Sequence, residues 1–88
     1  MSKKLCNNMK KIRAYENRIF MSVSALKSSI SKNFKVENDS FEIVKNAGFD
    51  DQLGFFEDGY YFSVWYMTGS SGRIIVVETT VSNIDGEE

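Results

Sequence analysis

Phe55-Phe56-Glu57-Asp58-Gly59-Tyr60-Tyr61-Phe62 reads as a β-hairpin. Both central residues of a type I′ turn need φ > 0, and Asp-Gly between two aromatic runs meets that demand with little strain. A two-residue turn fixes the register. Phe55 is expected opposite Phe62 and Leu53 opposite Val64 on one face; Phe56 opposite Tyr61 and Gly54 opposite Ser63, beside Trp65, occupy the other.

On the C-terminal side, Thr68 to Gly72 holds a second turn. Gly69-Ser70 as a type II′ pair sets Val64 opposite Ile75 and Phe62 opposite Val77, and sends Glu78 to the other face beside Tyr61. On the N-terminal side, Phe41 and Ile43 around Glu42 suggest a short strand, and Asn46 to Asp51 with Gly48 reads as a loop. Residues 1–4 and 82–88 are expected to fray, the latter being an acidic tail.

Before the strands, Leu5, Met9, Ile12, Ile19, Val23, Leu26, Ile30 and Phe34 recur at steps of three, four or seven, the spacing of one helical stripe. Asn7 or Asn8 as an early cap and Asn33 near the end bound the helix, while Ser22, Ser24, Ser28 and Ser29 weaken it and offer a place to bend. From Leu5 to Phe34 it would be about 45 Å long, against about 26 Å for an eight-residue strand. Such a helix either breaks or overhangs, and an overhanging apolar stripe would favour a homodimer through this helix or docking to another protein. The expected fold is a single α+β domain over residues 1–88. One N-terminal amphipathic helix packs on a three- to four-stranded antiparallel β-meander, covering Leu53, Phe55, Phe62, Val64, Ile75 and Val77.

Charge is divided along the chain. Residues 1–35 carry a net +8 and residues 36–88 a net −9, within an overall charge of −1. Each half attracts partners of opposite sign over about 8 to 10 Å. Composition narrows the classes. The chain has 42% hydrophobic residues, too apolar for disorder, and no run long enough to span a membrane. Its basic N-terminus lacks the continuous apolar segment of a secretory signal, so a cytoplasmic location is expected. The one cysteine, Cys6, has no second cysteine for an internal disulfide, and with no histidine the usual metal ligand sets are missing. No cofactor motif occurs: Gly69 to Gly72 is followed by neither Gly-Lys-Ser/Thr nor a helix. Without histidine, acid–base catalysis would need a strongly shifted carboxylate or lysine, so a non-enzymatic role is expected.

Three constellations remain. Phe56, Tyr61 and Trp65, extended by Met67, Ile74 and Val76, form an aromatic and aliphatic patch on the sheet face away from the helix. It is either a protein interface or a second core layer under the N-terminal segment or Phe41. Asp50, Asp51, Glu57 and Asp58 could meet a basic surface or imitate the phosphate spacing of nucleic acid, although each is also an ordinary turn or loop residue. Lys10, Lys11, Arg13 and Arg18 could bind phosphates, an acidic protein or anionic lipid, or simply solvate the helix back. No recognised nucleic-acid fold signature accompanies them.

The leading expectation is a non-catalytic intracellular binding protein that inhibits a larger protein or nucleoprotein. Compact inhibitors carried by phages and mobile elements, anti-CRISPR proteins among them, are similar in general profile; this is an analogy of class, not of sequence. The alternative is a small nucleic-acid-binding or regulatory protein, dimeric, using Lys10, Lys11, Arg13 and Arg18. A third reading is an accessory protein whose helix completes an assembly.

Overall fold

The computed structural model describes residues 3–46 and 50–83, which form two helices and a five-stranded antiparallel sheet. Along the chain run α1 (Lys3–Arg13), β1 (Ile19–Phe20), α2 (Val23–Phe34), a single 3-10 turn at Asn38–Ser40, β2 (Glu42–Val44), β3 (Asp51–Glu57), β4 (Tyr60–Thr68) and β5 (Ile74–Asn83). The strand order is β1-β5-β4-β3-β2. The class is α+β as the pattern predicts, with one more helix and more strands than expected. Lys3 and Lys4 already lie in α1, and Ser82 and Asn83 still lie in β5, so order extends further than the expected frayed ends. The rest of those ends, and residues 47–49 of the loop around Gly48, fall outside the described residues.

The β3–β4 hairpin has the predicted register, with Phe55 opposite Phe62, Leu53 opposite Val64 and Phe56 opposite Tyr61. Asp58 at φ 55° and Gly59 at φ 84° supply the two positive angles that the turn requires.

The long helix does not form. Past α1 the hydrogen bonds tighten, Tyr15 N–H to the Ile12 carbonyl and Glu16 N–H to that of Arg13, and Asn17 takes φ 71°, which Asn tolerates better than most residues. The chain then clips onto β5. Asn17 N–H donates to the Val76 carbonyl at 2.7 Å, and Val76 N–H to that of Arg18 at 3.0 Å. Ser22 restarts the helix as its N-cap, its hydroxyl accepting from Ala25 N–H at 3.2 Å. Leu5, Ile12, Leu26, Ile30 and Phe34 of the expected stripe are buried, but Ile19 is exposed because it sits in a strand, and Tyr15 and Phe20 are buried in its place. Each helix is now roughly 16 to 18 Å long, so the length mismatch that pointed to a dimer along the helix is gone.

The β4–β5 connection also differs from expectation. Gly69 to Arg73 is a five-residue loop, closed by Gly72 N–H to the Gly69 carbonyl and Gly69 N–H to that of Arg73, with Gly72 at φ 90°. Thr68 therefore pairs with Ile74 and Tyr66 with Val76; Val77 is then an extra residue, and Val64 pairs with Thr79 and Phe62 with Val81. The consequence is an exchange of faces. Ile74 and Val76 are buried under the helices, and Ile75 and Val77, expected in the core, are not. Glu78 does leave the core face, but opposite Trp65 rather than Tyr61.

All of the core lies on the helix side of the sheet. Phe55 and Phe62 stack at 5.3 Å, and Phe34 tilts onto both at 5.2 and 5.7 Å. Tyr15 joins the helical segments: its hydroxyl shares a hydrogen bond with Ser29 Oγ and accepts another from Asn33 Nδ2, both 2.7 Å.

Candidate protein-docking face

Strand alternation sends Tyr61, Ser63, Trp65 and Met67 of β4 to the side away from the helices, together with Gln52, Gly54 and Phe56 of β3 and Ile75 and Val77 of β5. No helix among the described residues covers this face. Phe56 is 51% exposed and Met67 52%, while Tyr61 and Trp65 are half-buried among their neighbours. The predicted trio Phe56, Tyr61 and Trp65 thus shares one surface, and no second core layer forms over it among the described residues. Ile75 and Val77 extend it, in place of the expected Ile74 and Val76.

Within the patch the aromatic groups are held in place. Tyr61 meets Phe56 edge-on at 4.6 Å and crosses Gly54 to donate from its hydroxyl to Glu42 Oε1 at 2.9 Å. A Cβ at residue 54 would collide with the Tyr61 ring and hydroxyl, so glycine is what lets the ring lie flat against the sheet. Burial, and then the bond to Glu42, push the Tyr61 phenol up to about 12. Gln52 Nε2 donates to Ser63 Oγ at 2.7 Å. Trp65 Nε1 is enclosed and finds no acceptor among the described residues. The roles of Glu42 and Gly54 went unread in the sequence, although a glycine inside a strand pattern is a known sign of close approach.

The acids predicted beside this patch do not gather. Asp51 accepts from Asn46 N–H and from Lys45 Nζ, both 3.1 Å; the Asn46 bond first and then Lys45 hold its carboxyl below the usual range. Asp50 accepts from Asn46 Nδ2 through its carbonyl. Glu57 and Asp58 sit at the other end of β3, roughly 20 Å away at strand spacing, where Asp58 forms the turn and lies 3.9 Å from Lys4.

The basic set divides as well. Lys10 and Lys11, with Lys4 and Lys35, line an open groove of about 570 Å³ that also contains Asn8 and Glu57. These cations serve helix ends: Lys10, Lys11 and Arg13 close α1, and Lys11 Nζ donates to the Asn33 carbonyl at 3.2 Å in the last turn of α2. Arg18 lies beyond the break, its guanidinium 4.9 Å from the rings of both Tyr15 and Phe20.

Charge is divided among the elements as it is along the sequence. The strands hold Glu42, Asp51, Glu57 and Glu78 and no Lys or Arg, whereas α1 and α2 carry seven Lys or Arg residues and no acid. Among the described residues, no three His, Cys, Asp or Glu side chains come together as a metal site, and no helix is long and apolar enough to cross a membrane. Comparison with protein-family models, curated proteins and solved structures finds no match to this chain.

Proposed function

We propose that this chain is a non-catalytic cytoplasmic binding protein that docks on a larger protein, alone or within a nucleoprotein, and inhibits it by covering a surface it needs free. The observation that carries this reading is the outer sheet face, which no helix among the described residues covers and where Phe56, Tyr61, Trp65 and Met67 stand together. Trp and Tyr are enriched among the few residues that dominate binding energy at protein interfaces, and Phe and Met are enriched in interface composition. Chemistry selects the partner. A nucleic acid on this face would bring phosphates over Glu42 and Glu78 with no strand cation to meet them, whereas a protein presenting apolar groups rimmed by Lys or Arg is complementary.

A second reading rests on the groove lined by Lys4, Lys10, Lys11 and Lys35, which would suit direct contact with nucleic-acid phosphates. The two are separated by capture from the native host after nuclease treatment, using wild type, a Phe56→Ser/Trp65→Ala variant and a Lys10→Glu/Lys11→Glu variant. The first reading expects a nuclease-resistant protein partner, at least about tenfold weaker binding on loss of the aromatics, and little change on lysine reversal. The opposite pattern, with binding that falls steeply as salt rises, would overturn it and support the second.

A further inference from the structure

We propose that the groove at the loop end of the outer sheet face binds a free alkanoic acid, its carboxylate on Arg73 and its chain across Ile19, Ile75 and Met67. Strand pairing builds the floor. Ile75 lies opposite Ile19 of β1 on one side and Met67 of β4 on the other, and directly paired residues send their side chains to the same face. Ile19 is 65% exposed and Met67 52%, so this row meets solvent as a contiguous apolar strip. The Gly69 to Arg73 loop, closed by Gly69 N–H to the Arg73 carbonyl, forms the end wall, and a cavity of about 300 Å³ opens between wall and floor.

Arg73 is the one charged residue of that lining. It is exposed and takes part in no ion pair among the described residues. Glu78, the acid of β5, stands five residues further on, beyond the extra residue Val77, roughly 15 Å away at strand spacing. The guanidinium is therefore left with its charge and its planar set of donors available at the mouth of an apolar groove.

These features select the ligand. A concave, mostly apolar site with one polar group to fix orientation is the layout of a small-molecule site, and its volume is at the lower end of the range of about 300 to 1,000 Å³ that such sites span. Guanidinium and carboxylate match as two parallel charge-assisted hydrogen bonds. A phosphate ester would bring a second negative charge with no second cation in the lining, and an amine would be repelled. Three strands about 4.8 Å apart make the row roughly 10 Å wide. At bond lengths near 1.5 Å, that is the reach of a chain of about six to eight carbons. Phe56 and Tyr61 lie at the far end of the sheet, so the site stands whether or not that end docks a protein.

Octanoate titrated into the full chain and followed by methyl NMR should shift the Ile19, Ile75 and Met67 signals saturably, with a dissociation constant on the order of 0.1 to 1 mM. Affinity should rise about twofold to fourfold per methylene from butanoate to octanoate and level off beyond, where the chain outgrows the row. Octanol, with the same chain and no charge, should bind at least about fivefold more weakly. Arg73→Gln should erase that preference and Arg73→Lys retain part of it. Ile19→Ser should weaken both ligands by about threefold or more and leave the preference intact. Both positions are exposed, so each variant should keep the wild-type circular dichroism. Shifts that do not saturate or that fall on other methyls, octanol binding as tightly as octanoate, or a preference that survives Arg73→Gln would overturn the proposal.

Discussion

Tyr15→Phe and Tyr66→Phe remove the same oxygen from two buried rings and should move stability in opposite directions. The Tyr15 hydroxyl is the junction between the α1–β1 turn and α2, with partners Ser29 Oγ and Asn33 Nδ2 at 2.7 Å. Each bond is worth about 0.5 to 1.5 kcal/mol net, and the ring stays in place, so no cavity forms and the loss should be about 1 to 3 kcal/mol. At about 4 to 8 °C per kcal/mol for a domain of this size, the midpoint should fall by roughly 8 to 16 °C for the central value. The Tyr66 hydroxyl, by contrast, is buried with no partner among the described residues. Deleting it relieves a desolvation cost, so Tyr66→Phe should be neutral or stabilising by about 1 kcal/mol. Urea denaturation followed by circular dichroism and by Trp65 fluorescence reads both changes, with the slope unchanged. Equal losses in the two variants would refute the assigned bonds and leave only a general dislike of phenylalanine at these sites.

Gly59→Val should destabilise by about 1 kcal/mol or more; nothing lies within 4 Å of a Cβ there, so an unchanged melting temperature would mean that φ 84° carries no strain. Phe62→Ala should cost about 3 to 5 kcal/mol, because the ring is fully buried between Phe55 and Phe34; a loss below about 0.5 kcal/mol would place it at the surface. The Tyr61 phenol, raised to about 12 from an unfolded value near 10, holds its proton more tightly when folded. Its contribution is complete below the unfolded value and lost as pH rises through the folded one, so stability should decline between these two values. Glu42→Gln should lower the ultraviolet titration midpoint of this tyrosine while burial keeps it above the ordinary value, and an unchanged midpoint would deny the Glu42 bond.

The first hairpin was legible because a two-residue turn leaves its strands no choice of register, and with it came the face shared by Phe56, Tyr61 and Trp65. The second turn was not. A Gly- and Ser-rich run from Thr68 to Gly72 closes at several lengths, and what selects one is distant in sequence: Asn17 and Arg18 grip Val76, and Glu16 grips Thr79, on either side of the extra residue. The helix break was hidden by a coincidence of phase. Ile12 and Ile19 are seven residues apart, so a strand residue completed a helical stripe; Asn17 and Ser22 were local signals that the stripe outweighed. The acids near the patch were adjacent only in sequence, because a seven-residue strand carries its two ends in opposite directions.

The separation of cationic helices from anionic strands governs how this molecule approaches others before any contact forms. A body with a net charge of only −1 feels little overall pull, yet the cations of the helices and the Glu42 and Glu78 carboxylates of the outer sheet face give it a dipole moment, and a dipole turns in a partner's field. Facing a positive surface, the molecule would arrive sheet first, so the orientational search that limits most associations is shortened, and the gain fades as salt brings the screening length below the thickness of the layers. The same moment attracts identical molecules head to tail, so solubility should be poorest in very dilute salt and should improve as ions are added.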